Sequence, residues 1–149
     1  MSPAIEQQIE ISSDKIQLDI TLIHQFLSNS YWAKGIDLAR VEKSIENSLC
    51  VGVYLGKQQI GFARLITDYT TFGYLADVFV LPEYRGRGVA KQMIDWLLNQ
   101  PEVQQLRRIV LATQDAHALY RPFGFSALGD DDVKKFMQLR PTNGAVNRG

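Results

Sequence analysis

The stretch Leu81–Leu98, "LPEYRGRGVAKQMIDWLL", lies between an apolar run and an amphipathic run and decides the fold. Its amphipathic part predicts a helix that begins near Gly88, and the first N–H groups of a helix have no intrahelical partner. A helix end of this kind attracts anions, phosphates in particular. Gly86 and Gly88 carry no Cβ, so a phosphate could approach their backbone closely. The stretch therefore predicts either a pyrophosphate cradle or a glycine-rich turn whose arginines are solvated.

Three cations surround these glycines, namely Arg85, Arg87 and Lys91. Arginine can hold a phosphate through two parallel hydrogen bonds. The common phosphate motifs do not fit the stretch. A Walker A loop requires a different glycine spacing and a Ser or Thr after its lysine, and the dinucleotide fingerprint requires a third glycine where Lys91 stands. A cradle here belongs to neither of those two classes.

The composition predicts a soluble globular protein. The chain has 149 residues, of which 46% are hydrophobic and 21% charged. We expect one domain over residues 1–140 and a flexible, polar tail over 141–149. A formal net charge of zero argues against nucleic acid or an anionic membrane as a partner. The lone Cys50 and an N-terminus without signal-peptide features favour a cytoplasmic location. No spaced histidines accompany the acidic run 130–132, so no metal site is expected.

The periodicity of the apolar residues predicts two helices followed by three consecutive strands. The helices cover "LDITLIHQFLSN" (18–29) and "DLARVEKSIENSL" (37–49). The segment "GKQQ" (56–59) separates two period-two runs and predicts a hairpin, and a long strand over Phe72–Leu81 stops at Pro82. Three strands in succession favour an α+β layered domain over strict alternation of strands and helices.

The ends of the chain carry weaker signals. The remaining expectations are a first strand over Ile5–Ile11, a strand over Arg108–Ala112, a short helix closed by Gly124, a solvated turn at 130–132 and a last strand over 135–140.

Two motifs resemble those of the GNAT N-acetyltransferase superfamily. The first reads Gln/Arg-x-x-Gly-x-Gly/Ala after an apolar strand, and Arg85, Gly88 and Ala90 fill its positions. The second reads Leu-Tyr-x-x-x-Gly-Phe and is present as "LYRPFGF" from Leu119 to Phe125. The motifs come in the expected order with a short strand between them. The resemblance implies a three-layer α/β/α fold around a mixed, mostly antiparallel sheet.

The resemblance also implies acetyl-CoA as co-substrate and a site for it. In the family the central strand and the next one separate, and the pantetheine arm lies between them. Residues of the central strand would pair with that arm, and residues of the following turn and helix would hold the pyrophosphate. The implied cofactor residues are Val78, Phe79, Val80, Arg85, Gly86, Arg87, Gly88, Val89, Ala90 and Lys91. Thr113 stands where many members carry an asparagine that contacts the cofactor, and it could donate its hydroxyl instead.

The implied reaction is direct attack of a primary amine on the acetyl thioester. Tyr120 is the family's usual general acid for the departing thiolate, although a helix tyrosine could also simply pack its ring against a sheet. A backbone N–H of Val78 or Phe79 would stabilise the oxyanion. Asp77 interrupts an apolar strand, where a carboxylate is costly unless it has a purpose. It is either the base, directly or through water, or an aspartate that pairs with an arginine or positions a loop.

Tyr31 and Trp32 lie between the two upstream helices, a region that borders the acceptor site in the family. These rings would either contact the substrate or only cover the core. The acceptor would be a small-molecule amine or an amine of a peptide or protein, and a homodimer would be compatible with the family. A non-catalytic acyl-CoA sensor on the same fold is the alternative function. Cys50 lies in "LCVGVYL" with no histidine nearby in the sequence, so it is expected in the core rather than as a nucleophile.

Overall fold

The computed structural model describes residues 8–141. The chain divides after Gln114 into two compact units. The single domain predicted for residues 1–140 stays a prediction. The predicted tail lies outside the described residues except for Pro141.

The first unit is built on a sheet whose described strands run in the order β1-β2-β3-β4-β5. Neighbouring strands are antiparallel from β1 to β4, and β4 pairs with β5 in parallel. The strands are β1 (Ile9–Ser12), β2 (Leu49–Leu55), β3 (Gln58–Thr67), β4 (Phe72–Val80) and β5 (Arg108–Leu111). The mixed, mostly antiparallel sheet of an α+β fold is therefore confirmed.

Four α-helices are described in residues 8–114 of the same unit. They are α1 (Ile20–Ser28), α2 (Leu38–Glu46), α3 (Val89–Leu98) and α4 (Pro101–Gln104). Asp37 caps α2, since its carboxylate accepts from the Arg40 N–H at 2.7 Å. A 3₁₀ turn over Pro82–Tyr84 separates β4 from α3. Within residues 8–141, no helix is long and apolar enough to cross a membrane.

Helices cover both faces of the sheet. Helices α1 and α2 bury Ile23, Leu27 and Val41 against Cys50 and Phe62 of one face. Neighbouring residues of a strand point to opposite faces, and Val51 and Ala63 accordingly lie buried on the other face. Helix α3 packs against β2, β3 and β4. Its buried side is formed by Val89, Met93, Ile94 and Leu97. This side is the apolar face of the amphipathic helix that the sequence predicts after Gly88.

The second unit contains the short helices α5 (His117–Tyr120) and α6 (Asp130–Lys135), with a 3₁₀ turn over Arg121–Phe123. Gly124 closes that turn with φ of 99°, as expected for a C-terminal glycine. The predicted turn at 130–132 is wrong, because these aspartates form the first turn of α6. Acidic residues in the first turn and lysines in the last complement the helix dipole, which explains why this segment is helical.

The two terminal strand predictions have different outcomes. The last strand predicted over 135–140 is wrong, since Lys135 ends α6 and residues 136–140 form neither helix nor strand. Met137 and Leu139 are 96% and 74% exposed there, so their alternation does not reflect a buried face. Among the described residues the first strand covers Ile9–Ser12, and residues 5–7 of the prediction lie outside them.

Candidate active site

The turn between β4 and α3 has the backbone geometry of an anion cradle. Gly86 and Gly88 both have positive φ, 78° and 79°, in the left-handed region that favours glycine. A Cβ added at either glycine would meet no atom of residues 8–141 within 4 Å. The Gln92 N–H makes a helical bond of 3.0 Å to the Gly88 carbonyl. The preceding amides of Val89, Ala90 and Lys91 therefore point out of the helix end, where no side chain caps them.

The three cations of the turn differ in how they are held. The Nε–H of Arg85 donates to the carbonyl of Val80 at 2.9 Å, which fixes the guanidinium against the end of β4. Arg85, Arg87 and Lys91 are all exposed. All three residues belong to the turn or to the first turn of the helix whose amides point outward. The cofactor roles predicted for the turn and for the start of α3 stay predictions, and the geometry provides the donors and charge that they require.

Strand β4 extends beyond its pairing with β5. The last parallel pair is Leu75 with Leu111, and β4 continues to Val80. The Leu81 N–H donates to the Ile60 carbonyl of β3 at 2.8 Å. Because backbone groups alternate in direction along a strand, those of Val80 and Val78 point away from β3. The end of β4 thus presents backbone groups on the side that β5 leaves open.

Phe79 is oriented differently from its two neighbours. By the same alternation its backbone groups point towards β3. Its ring is 4% exposed and stacks on Phe26 at a centroid distance of 3.9 Å. The cofactor contact predicted for Phe79 remains a prediction, and its backbone direction favours Val78 as the oxyanion donor of the two.

Asp77 lies in a β-bulge of β4. Phe62 pairs with Phe79 and Arg64 pairs with Ala76, so the single residue Ala63 faces both Asp77 and Val78. Asp77 has φ of 56°, a left-handed conformation that is uncommon for residues other than glycine.

Both carboxylate oxygens of Asp77 accept hydrogen bonds. Oδ1 accepts from the Trp32 Nε1–H at 2.9 Å, and Oδ2 accepts from the Arg64 Nε–H at 2.9 Å. Arg64 also donates from Nη1 to the Ser48 hydroxyl at 3.1 Å. The sequence analysis gave pairing with an arginine as the alternative to a role of Asp77 as the base, and the structure contains this pairing. The role of Asp77 as the base stays a prediction.

The rings of Tyr31 and Trp32 stand on the segment between α1 and α2. They meet edge to face at 5.1 Å and are 60% and 42% exposed. The hydrogen bond to Asp77 fixes the Trp32 indole, and Phe26 packs against it at 6.3 Å. The structure therefore brings together Trp32 and Asp77, two predicted site residues that are 45 positions apart in the sequence.

The other predicted residues lie elsewhere in the chain. Thr113 is half-buried and follows the end of β5 by two residues. Tyr120 belongs to the second unit, where it is buried and its ring meets that of Phe125 edge to face at 5.8 Å. The catalytic role of Tyr120 stays a prediction. Cys50 is 1% exposed, and burial raises the pKa of its thiol to about 11, so it is a core residue as expected.

Arg64 and Ser48 are site residues that the sequence analysis did not name. A signal was present, because Arg64 is the one charged residue in "IGFARLI" as Asp77 is in "YLADVFV". Two isolated opposite charges on strands predicted to be neighbours favour an ion pair. The contact to Ser48 had no such signal.

Comparison with known proteins gives the family. A model of the acetyltransferase (GNAT) family matches residues 20–125. A Gibberella zeae protein with a provisional acetyltransferase name is 30% identical over 161 residues, 93% of this chain and 88% of that protein.

Solved structures share the fold. One, from Xanthomonas campestris pv. campestris, belongs to the GNAT family and is 44% identical, with a TM-score of 0.86 over 93% of this chain and 97% of the other. A predicted acetyltransferase from Clostridium acetobutylicum, solved with acetyl-CoA, has a TM-score of 0.66 at 17% identity. The superposition covers 89% of this chain and 96% of the Clostridium chain, and it shows that the two share a fold.

The family match extends from α1 through the second motif and therefore includes the glycine turn, the bulge and Tyr120. The fold agrees with that of the Xanthomonas campestris structure over 93% of this chain, with a TM-score of 0.86. The chain belongs to the GNAT acetyltransferase family.

Proposed function

We propose that this protein transfers the acetyl group of acetyl-CoA to a primary amine, by direct attack of the amine while both substrates are bound. The main support for this proposal is the structure of the junction between β4 and α3. There, an open stretch of strand backbone leads directly into two left-handed glycines and an uncapped helix end. Acetyl-CoA supplies an activated acetyl thioester.

The residues of the junction fit the two parts of that molecule. A pyrophosphate needs several N–H donors and positive charge, and the amides of 86–91 with Arg85, Arg87 and Lys91 provide both. Space beside Gly86 and Gly88 allows the phosphates to approach the backbone. The pantetheine arm carries amide groups, for which the outward backbone of Val78 and Val80 offers partners.

The acceptor amine must lose a proton before it attacks. An alkylammonium with a pKa of ~10.4 needs roughly 4–5 kcal/mol to be neutral at pH 7. A base therefore accelerates the reaction, and Asp77 or a water chain would serve. Tyr120 would donate the proton to the departing thiolate, a role supported by its place in the family motif. Val78 would donate its N–H to the oxyanion.

The acceptor is a small-molecule amine or an amine of a peptide or protein. The exposed rings of Tyr31 and Trp32 support a site with an aromatic wall, because the indole is fixed by the same carboxylate that lies in the β4 bulge. The neutral net charge supports a partner that is neither nucleic acid nor an anionic membrane surface. A cytoplasmic location and a homodimer are compatible with this function.

The proposal is tested by two measurements on the full chain. Calorimetry with CoA measures binding, and a thiol-release assay with acetyl-CoA and a panel of primary amines measures transfer. We expect a dissociation constant for CoA in the micromolar range and amine-dependent thiol release. Absence of CoA binding by folded protein would show that the proposal is wrong. Tight CoA binding without release for any amine would favour the acyl-CoA sensor.

The double variant Arg87→Ala/Lys91→Ala provides a directed test. Loss of two charges that contact phosphate should raise the CoA dissociation constant about tenfold or more. The matched control is Arg40→Ala/Lys43→Ala on α2, which removes the same charges from exposed positions. Equal weakening in both double variants would indicate only general electrostatic attraction.

A further inference from the structure

The bulge of β4 is held in an unfavourable backbone conformation by side chains from other elements. Asp77 has a φ of 56°, which glycine adopts freely but aspartate adopts only at a cost in free energy. The surrounding side chains must therefore stabilise this conformation. The carboxylate is bound on both oxygens, each at 2.9 Å, by Trp32 and Arg64. These bonds fix the residue directly before Val78.

Arg64 is the centre of this arrangement. Its guanidinium uses Nε for Asp77 and Nη1 for the hydroxyl of Ser48, the residue directly before β2, which is 2% exposed. The side chains of Arg64 and Asp77 are 15% and 9% exposed, so solvent weakens their pairing little. A planar guanidinium with two fixed partners sets the carboxylate's position more strictly than a single point charge could.

We propose that Arg64 is a positioning residue for catalysis, which acts through Asp77 to hold the bulge so that the Val78 N–H points at the thioester carbonyl. Asp77 is then the anchor of the bulge, since both of its oxygens are already bound. The inference rests on the proposed function, because it needs acetyl-CoA at the open edge of β4. It adds Arg64 of β3 and Ser48, which precedes β2, to the site. It also gives the left-handed conformation of Asp77 a purpose.

The same carboxylate also fixes the acceptor side. Trp32 donates to Asp77 from the segment between α1 and α2, where its ring meets Tyr31. Arg64 therefore determines two positions: that of the Val78 N–H, which donates to the thioester carbonyl, and that of the aromatic wall formed by Tyr31 and Trp32. A displacement of the carboxylate would move the two together.

The first test separates anchoring from base catalysis through the thioester carbonyl. Acetyl-CoA labelled with carbon-13 at that carbonyl is bound to the protein, and the infrared carbonyl frequency is measured. A well-aimed N–H lowers the frequency relative to acetyl-CoA in solution, and we expect this shift in the wild type. Arg64→Gln should lose at least about half of the shift, since removal of an aimed donor impairs such sites strongly. Its matched control, Arg40→Gln on the surface of α2, should keep the full shift.

Substitutions of Asp77 give the second test. Glycine accepts positive φ without strain, whereas alanine does not. If Asp77 anchors the bulge, Asp77→Gly keeps most of the carbonyl shift and Asp77→Ala loses it. Asp77→Asn, which keeps an acceptor for Trp32 and tolerates this conformation, should resemble the wild type. A base acts on the amine, so an unchanged shift in all three variants would overturn the inference in favour of the base role.

The outcomes also separate this inference from the proposed function. If calorimetry detects no acetyl-CoA binding by the wild type, the proposed function fails and the inference fails with it. If the wild type binds acetyl-CoA without a carbonyl shift, only the inference is wrong. Arg64→Lys is the second variant in case Arg64→Gln does not fold, because it keeps the charge but not the fork. An unchanged shift in either folded Arg64 variant overturns the inference.

Discussion

The Nε–H of Arg85 donates a hydrogen bond of 2.9 Å to the backbone carbonyl of Val80. The first arginine of the glycine turn is therefore tied to the last residue of β4. Arg87, two residues later, is exposed. One guanidinium thus links the end of the strand to the turn.

This link predicts that Arg85 and Arg87 differ in their tolerance of lysine. Lysine keeps the charge but cannot offer an Nε–H to Val80 together with a fork for phosphate. Arg85→Lys should raise the CoA dissociation constant about tenfold, a loss of about 1.4 kcal/mol. Arg87→Lys, the matched control, should change it less than about threefold. Calorimetry with CoA measures both, and equal effects would mean that the bond to Val80 does not orient the guanidinium for binding.

The glycine turn gives a second prediction. Alanine at Gly86 or Gly88 must adopt positive φ and also adds a Cβ where a phosphate is proposed. We expect a loss of about 1 kcal/mol in unfolding free energy and a rise of about tenfold in the CoA dissociation constant.

The control for this prediction is Gly56→Ala in the turn between β2 and β3. Gly56 also has positive φ, 62°, and open space around its Cβ position. This variant should lose similar stability but keep CoA affinity. Thermal melts and calorimetry on the three variants separate backbone strain from a lost phosphate site. Unchanged affinity in Gly88→Ala would contradict the cradle.

Tyr120 is predicted to act on turnover rather than on binding. If its phenol protonates the departing thiolate, Tyr120→Phe should lower kcat about 100-fold or more and leave the KM for acetyl-CoA nearly unchanged. Tyr74→Phe is the control, because that ring is exposed on β4 and has no assigned role. Thiol release with the amine that turns over fastest in the panel provides the assay. A kcat within about twofold of wild type would exclude Tyr120 as the acid.

Much of the site's framework could be predicted from sequence because it depends on local signals. The hairpin at "GKQQ", the stop at Pro82 and the helix start at Gly88 each follow from residues within a few positions of the feature. The structure has β2 ending at Leu55, β4 ending at Val80 and α3 beginning at Val89. The two motifs predicted the family, and the comparison with the family model confirms it.

The arrangement around Asp77 could not be predicted in the same way. Its partners come from 13 and 45 positions away, and their meeting depends on the bulge that shifts the register between β3 and β4. Nothing in "YLADVFV" fixes the position of that bulge, since aspartate disfavours positive φ less than other residues but does not require it. The incorrect prediction of a strand over 135–140 has a related cause. Alternation of apolar and polar residues forms a strand only where a neighbouring strand is available to pair with it, and the sequence does not show whether one is.

Cys50 gives the prediction for pH. Burial raises the pKa of its thiol from 9.0 to about 11 in the folded protein. Between these values the unfolded chain loses the proton while the folded protein keeps it. The unfolded state therefore binds fewer protons there, and stability falls as pH rises from 9 to 11. The thiol's contribution is fully present below pH 9, and about 2–3 kcal/mol is lost across the window.

Urea unfolding of the wild type and of Cys50→Ala at several pH values measures this effect. The variant has a small cavity and should be less stable below pH 9, but its stability should fall less between pH 9 and 11. Tyr54, whose pKa burial raises to about 12, destabilises both proteins equally above pH 10 and cancels in the difference. Parallel pH profiles for the two proteins would show that the thiol is not buried as the structure has it. A thiol reagent should accordingly modify Cys50 only when the protein unfolds, because the thiolate is the reactive form.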